Sequence, residues 1–316
     1  GEYLKFENKF RGDRSLIFQS FSHYDDLIDI LIKFDSTINL LDIGCGRGEF
    51  IQRYENKFSE IIGIEADRNM VELCKNNNLN VIHNDAITAL KNIDSESISV
   101  ITAFHLIEHL TKKQLAEFIC LCKRALKPDG ILIYETPSID NLLVSTKLFY
   151  LDDTHVNHIN PDRLIFSLES NDFSKVKYYY INGGPLQNSS QIKTTRILNG
   201  VAQDLVIIGC KSKKISNFLF EKNYNWKESL RIAPSTLEAA IEYDLNYEKN
   251  NLQLNKRIEE LEAKLSQAGF RQFDRIDKYL NMFKYEINLY LKFRSICKSI
   301  FNYIKGLVFA FLNVFV

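Results

Sequence analysis

Several things are missing from this chain, and each absence removes a class of answer. No C-x-x-C pair occurs among the six cysteines, which are scattered at Cys45, Cys74, Cys120, Cys122, Cys210 and Cys297. That points away from a disulfide framework and fits the reduced thiols of a cytosolic protein. The formal net charge is zero, so nothing at whole-chain level indicates nucleic acid or an acidic polymer as partner. No clean run of about 20 apolar residues is available to span a membrane. The apolar end, residues 300–316, is interrupted by Asn302, Lys305 and Asn313. There is no internal repeat, no low-complexity tract, and no secretory signal pattern in the first residues. The first residue is Gly, not Met, which reads as a cleaved product or a piece of a longer protein. What remains is 316 residues, 45% apolar, ample for one large domain with an appendage or for two small ones.

The stretch that organises the rest is NLLDIGCGRGEF, residues 39–50. Leu40, Leu41 and Ile43 read as a buried strand, Gly44, Gly46 and Gly48 as a turn, and Glu49 and Phe50 as the start of a helix. A glycine turn between a parallel strand and a helix is how doubly wound folds build a nucleotide site. The spacing is G-x-G-x-G, not the dinucleotide G-x-G-x-x-G. On its own the run reads equally well as a tight turn. Around it, strands expected at 39–44, 60–65, 80–83, 97–104 and 131–135 alternate with helices. Those helices start at 48, run over 67–77 behind an Asp67 N-cap, over 86–92, and over 111–126 with Thr111 and Gln114 as a capping box. Lys127–Gly130 reads as a tight turn. Repeating units of this length imply a parallel sheet covered on both faces. Before them, residues 1–38 are mixed helix with a stripe at Leu27, Ile28, Leu31 and Ile32, and Arg11 and Arg14 flank Gly12-Asp13. After Pro137 comes a long connection, 138–161, of the kind that is usually functional. A helix at 161–170, a strand at 176–181, a polar loop with Gly183, Gly184 and Pro185, and a strand at 204–212 complete the domain. Two late strands joined by a loop imply an antiparallel edge.

Glu65 closes the second strand about 20 residues past the first glycine, where a carboxylate accepts from a ribose diol. Asp85 has the same placement one strand on. It would accept from an adenine amine, cap the next helix, or do both. With DIGCGRGEF, GIEAD, NDA, FHLIEHL and LKPDGILIYETP in order, residues 10–212 resemble the class I S-adenosylmethionine-dependent methyltransferases. The resemblance implies an α/β fold, a seven-stranded Rossmann-like sheet with the last strand antiparallel. It also implies S-adenosyl-L-methionine as cofactor, with Asp42, Gly44 and Gly46 at its amino-acid part, Glu65 and Ala66 at the ribose, Asp85 and Ala86 at the adenine, and His105 lining the pocket. A narrower likeness joins FRGDR, GCGRGEF and ETPSIDNLLVSTKLFYLDDTHVNHINP. These resemble methyltransferases of bacterial surface polysaccharides, some of which terminate O-antigen chains and carry a C-terminal coiled coil. It implies that Arg11 and Arg14 close over the acceptor or the cofactor carboxylate, using the bidentate fork of arginine.

Methyl transfer to an alcohol needs the two reactants positioned and a proton removed. The candidate bases lie beyond the strand ends: His105, Glu108 and His109 in one place, and Asp152, Asp153, His155 and His158, beside Tyr150, in another. His109 or His155 is expected as base, with Asp152 supporting it. Arg11, Tyr150 and His158 are expected at the acceptor, with Glu135 and Thr136 within reach. A metal at 152–158 is set aside for want of spaced ligands, and a catalytic Cys45 because its loop acts through backbone.

Beyond 212 the composition shifts. Residues 213–246 read as an irregular linker. Residues 247–269 carry heptads at Tyr247, Asn251, Leu254, Ile258, Leu261, Leu265 and Ala268, implying a homo-oligomeric coiled coil, dimer or trimer, or else an intramolecular hairpin. Residues 270–316 form a basic, aromatic helical tail that would lie on an anionic membrane, dock a partner enzyme, or serve as oligomer core. The expectation is a methyltransferase acting on an oxygen of a sugar or sugar phosphate, in a glycan or lipid-linked glycan, in the cytoplasm or peripherally on the inner face of the membrane. The alternatives are a small metabolite or lipid as acceptor, or a non-catalytic scaffold presenting the coiled coil.

Overall fold

The computed structural model describes residues 2–222, 224–267 and 281–288. Its first compact unit is Gly1–Tyr247. Two short helices, α1 (Glu2–Phe10) and α2 (Arg14–Ser20), lead through a single turn into α3 (Asp25–Phe34). Then β1 (Asn39–Ile43), α4 (Glu49–Tyr54), β2 (Glu60–Glu65), α5 (Arg68–Asn76), β3 (Val81–His83), α6 (Ala86–Asn92), β4 (Ile98–Phe104), α7 (Lys112–Ala125) and β5 (Leu126–Pro137) alternate. The unit closes with α8 (Pro161–Ser170), β6 (Lys175–Gly183), α9 (Thr194–Asn199), β7 (Ala202–Cys210), α10 (Lys213–Phe220) and the start of α11 (Thr236–Gln267).

The seven strands form one sheet in the order β3-β2-β1-β4-β5-β7-β6. The first five are mutually parallel, and β7 runs antiparallel to both β5 and β6. Strand order reverses beside β1, so the ends of β1 and β4 open the crevice where such sheets bind ligands. One face of the sheet packs Tyr24, Leu27, Phe50 and Tyr54, and the other Phe118, Tyr134 and Leu168. Local chemistry sets the helix starts as expected: Asp67 accepts from the N–H groups of Asn69 and Met70, and Thr111 and Gln114 form a reciprocal capping box.

Three expectations need correction. Lys127–Gly130 is no free turn. It is a bulge inside β5, where the register jumps from Ile98–Leu126 to Val100–Ile131 and the Gly130 carbonyl accepts from the Lys211 N–H at 3.0 Å. The connection between the last two strands contains α9, and β7 begins two residues earlier than expected. Residues 213–246 are no linker: Ile215, Leu219, Trp226 and Leu230 are buried in the core, and the Trp226 indole donates to the Leu219 carbonyl at 3.0 Å. Full burial of side chains of this size is worth about 1.5–3 kcal/mol each, enough to hold such a segment down.

In the second unit, residues 248–267 and 281–288 are helical. Leu252, Leu254 and Leu261 are exposed there, and Lys284 pairs with Glu262 at 3.2 Å. Leu265 and Ala268 of the heptads, and the tail except 281–288, lie outside the residues whose side chains are described. Among the described residues no helix is long and apolar enough to cross a membrane.

Candidate active site

The glycine turn does what its composition suggests. Gly44, Gly46 and Gly48 all take positive φ (71°, 53° and 77°), the left-handed region that side chains resist. At Gly48, the residue before α4, a Cβ would lie 2.5 Å from Leu79 Cδ1. At Gly46 the backbone is bare on a cavity wall, and its N–H donates to Glu65 Oε2 at 2.8 Å.

That cavity, about 380 Å³, is bordered by Gly44, Gly46, Glu65, Ala66, Ala86, His105, His109 and Arg11. All were expected at the site. Glu65 Oε1 accepts from the Asp67 N–H at 2.8 Å, so each carboxylate oxygen holds one backbone donor and keeps a lone pair. Burial raises its pKa, against the pull of the Asp67 and Gly46 N–H groups. These features fit S-adenosylmethionine: bare backbone for its amino-acid end, a strand-end carboxylate for a diol, and Met70, Ala86 and Leu106 for a flat base.

Three expected cofactor residues are placed otherwise. Asp42 is buried beneath the loop and accepts from Thr102 Oγ1 at 2.7 Å. Burial pushes its pKa up to about 7. Asp85 caps α6, accepting from the Thr88 N–H at 2.9 Å, and its neighbours Asn84 and Ala86 border the cavity instead. Arg14 points Nη2 at the Arg47 carbonyl, 3.4 Å away, off the cavity. Arg47 was missed by the sequence reading. It is buried, pairs with Glu49 at 2.7 Å, and donates to Asn8 Oδ1 at 2.8 Å and the Gly12 carbonyl at 3.1 Å. It thereby ties the N-terminal segment to the glycine turn.

Beyond β4, His105 has φ 51°, and its backbone N–H donates to the Glu135 carbonyl at 2.8 Å. Its ring lies 3.4 Å from Glu108, 3.5 Å from Glu135 and 3.9 Å from Asp204. Burial alone would lower its pKa; the three carboxylates outweigh that and raise it to about 10. His105 is therefore an imidazolium at neutral pH. Burial would raise Glu135, but His105 and His23 hold it far below the usual carboxylate range. Asp204, with less compensation, is pushed up to about 6, again chiefly by burial.

His109 is different. Asp152 Oδ1 accepts from the Thr154 hydroxyl at 2.5 Å, so that hydroxyl in turn accepts from His109 Nδ1 at 2.8 Å. This fixes the tautomer and leaves Nε2 as the basic nitrogen. Burial, outweighing the attraction of Glu108, lowers the His109 pKa, so the ring is neutral at pH 7. Thr154, the middle of this relay, was not anticipated. Its signal was its place between Asp152 and His155. His155 gives Nδ1 to the Phe149 carbonyl at 2.7 Å and packs edge-on against His109 at 4.6 Å. It does not border the cavity. His158 stacks on Phe149 and, with Tyr150 on its far nitrogen at 3.3 Å, faces a separate hollow between α7 and α8. Neither Tyr150 nor His158 reaches the cavity beside the glycine turn. The ligand-type atoms of Glu108, His109 and His155 lie within 4.8 Å of one another, as do those of His105, Glu135 and Asp204. The linear spacing that led to setting a metal aside does not reveal either cluster.

Arg11 and His105 also border a second cavity of about 770 Å³, between the N-terminal helices and the β6–β7 edge.

The sequence profile of the family described as "Methyltransferase domain" matches residues 18–178. A SAM-dependent methyltransferase from Archaeoglobus fulgidus is 30% identical, with a TM-score of 0.58, over 67% of this chain and 100% of its own. Ubiquinone biosynthesis O-methyltransferases from Rhodopseudomonas palustris and Bartonella tribocorum are 28% and 26% identical over 110 residues, and the chain spans only 40% and 43% of their lengths. The glycine turn, the strand-end Glu65 and the reversed β7 agree with these matches: the chain belongs to the methyltransferase domain family and is an S-adenosylmethionine-dependent methyltransferase.

Proposed function

We propose that this enzyme methylates an oxygen of a sugar or sugar phosphate, in a glycan or lipid-linked glycan of a bacterial surface polysaccharide, with His109 as general base. The observation that supports a base at this position is the Asp152–Thr154–His109 relay, which leaves Nε2 as the basic nitrogen of a ring that borders the cofactor cavity. When bound, S-adenosylmethionine supplies an electrophilic methyl group. Gly44, Gly46 and Glu65 would hold it, with Arg11 near its carboxylate. His109 Nε2 would take the proton from the acceptor hydroxyl as its oxygen gains the methyl group, the S–CH3 bond breaking to leave S-adenosylhomocysteine. Asp152 orients and stabilises the resulting imidazolium through Thr154. An oxygen acceptor is supported by the two curated relatives, both O-methyltransferases, and a surface glycan by the FRGDR and 135–161 motifs. Mass spectrometry of glycan acceptors incubated with labelled cofactor tests the reading; label found only on small metabolites or lipids would overturn it. His109→Ala is expected to lower kcat roughly 10²-fold with the affinity for S-adenosylhomocysteine retained.

A second reading of the same residues is favoured by one observation: a carboxylate oxygen of Glu108 and a ring nitrogen each of His109 and His155 lie within 4.8 Å of one another. Two imidazoles and a carboxylate suit a divalent cation, which would lower the pKa of the acceptor hydroxyl directly. Loss of turnover on chelation, restored by one added metal, would select this reading; full activity after chelation would select the base.

The exposed leucines of α11 support self-association through residues 247–269 as a dimer or trimer, and the basic, aromatic composition of 270–316 supports docking on an anionic membrane or a partner enzyme. Sedimentation of the full chain and of a 1–246 truncation checks the first. Partitioning onto anionic vesicles, with and without 270–316, checks the second.

A further inference from the structure

The polar loop opened by Gly183, Gly184 and Pro185 has no part in the mechanism above. It walls the 770 Å³ cavity, where four carboxamides, Asn182, Gln187, Asn188 and Gln203, stand with Asp204 and Arg231. Gly183 makes room for one of them: a Cβ there would lie 2.2 Å from Gln187 Oε1. Asn182 and Arg231 both hold left-handed backbone, φ 56° and 49°, and are joined by the Asn182 N–H to the Arg231 carbonyl at 3.1 Å. Left-handed backbone of this kind gathers at ligand clamps. His105, a third left-handed residue, borders the same cavity. The Asn182 amide also donates to Asp204 Oδ2 at 2.9 Å, fixing that carboxylate beside His105.

We propose that this cavity is the acceptor site and takes a neutral polyhydroxylated group, a glycosyl unit whose ring hydroxyls pair with the carboxamides while its reacting hydroxyl reaches past His105 into the adjoining cavity that His109 borders. The inference rests on the methyltransferase reading above and narrows its acceptor from sugar or sugar phosphate to an uncharged sugar. A carboxamide presents a donor and an acceptor side by side, and a hydroxyl needs both. Phe10 and Phe21 add apolar lining to the same cavity. Glu135 and Asp204 face the same space and offset the His105 imidazolium and Arg231, so the wall offers an anion no net positive charge. Of the two arginines, Arg11 is already paired with Glu7 at 3.3 Å.

The test is saturation-transfer NMR on the full chain saturated with S-adenosylhomocysteine. The ligands are methyl glycosides of hexoses and deoxyhexoses and the corresponding hexose 6-phosphates, with cofactor-product affinity measured by calorimetry in parallel. A neutral glycoside is expected to bind, and Gln187→Ala and Gln203→Ala each to weaken it at least about tenfold, the loss of one or two hydrogen bonds, with S-adenosylhomocysteine affinity unchanged. Gly183→Ala, which displaces the Gln187 side chain without altering its chemistry, should reproduce the loss, and the exposed Asn188→Ala tests the wall without disturbing packing. Absence of glycoside binding, equal binding by all variants, or preference for the phosphates overturns the proposal. Failure of S-adenosylhomocysteine itself to bind overturns the methyltransferase reading beneath it.

Discussion

The two cavities that meet at Arg11 and His105 are built by different means. The smaller takes most of its wall from the loops after β1, β2 and β3, within residues 44–86. The larger draws on α1, α2, the ends of β4 and β5, the β6–β7 edge and Arg231. The first is held by backbone: glycines in left-handed turns and a carboxylate on two N–H groups. The second is held by side chains from distant segments, whose charges depend on one another. A donor common to a whole family can be met by local, repeated geometry, whereas an acceptor particular to one enzyme is met by tertiary assembly.

Four measurements would break or sharpen that contrast. The largest effect is expected for Arg47→Met. It leaves Glu49 buried without its partner and cuts the ties to Asn8 and Gly12. Denaturant unfolding should show a loss of about 3–5 kcal/mol, and both cavities should suffer, since the severed segment carries Arg11. Next is Glu65→Ala, confined to the donor side. Calorimetry should show S-adenosylhomocysteine affinity falling about 10²-fold, from the loss of charge-assisted hydrogen bonds, with glycoside binding unchanged. Equal losses on both sides would mean that the cavities are not separable. Thr154→Val breaks the relay between Asp152 and His109 without removing either; kcat is expected to drop about tenfold, with KM nearly constant.

The smallest effects are in the pH dependence of stability, and here the two sides separate by window. Asp42 has its pKa raised from 3.8 to about 7, so the folded protein holds that proton more tightly. Its contribution is most favourable below 3.8 and is lost as pH rises to about 7. Asp42→Asn should flatten the thermal-melting profile across that range. His105 has its pKa raised from 6.5 to about 10; its contribution is complete below 6.5 and lost as pH climbs through 10. His105→Gln should flatten only the alkaline window. A single shared transition in both variants would contradict the division.

This division also explains what could be read in advance. The strand–helix alternation, the caps at Asp67 and Thr111, the glycine turn and Glu65 are local patterns, and periodicity exposes them. Asp85 shows the limit: a carboxylate after a strand and before a helix can face a ligand or cap the helix, and here the Thr88 N–H took it. Arg14 was implied by the likeness of the FRGDR motif and Tyr150 was chosen by its neighbourhood, but direction is set by packing, which sent one to the Arg47 carbonyl and left the other 65% exposed. The joining of His105 to Glu135 and Asp204 depends on β5 and β7 being neighbours, and no spacing along the chain carries that. The residues 213–230 looked irregular because they pack through isolated side chains such as Trp226, without a period.

The reversal of β7 has a consequence for how such an enzyme diversifies. Because β6 and β7 are antiparallel neighbours, their connection never has to cross the face of the sheet. Residues 184–201 can lengthen, shorten or be exchanged for those of another enzyme while Tyr178–Ile207 and its companions keep their register. The parallel strands that carry the glycine turn allow no such exchange. The fold therefore separates an inheritable socket from a replaceable wall, and a chimera that swaps this one connection is a direct route to a new acceptor.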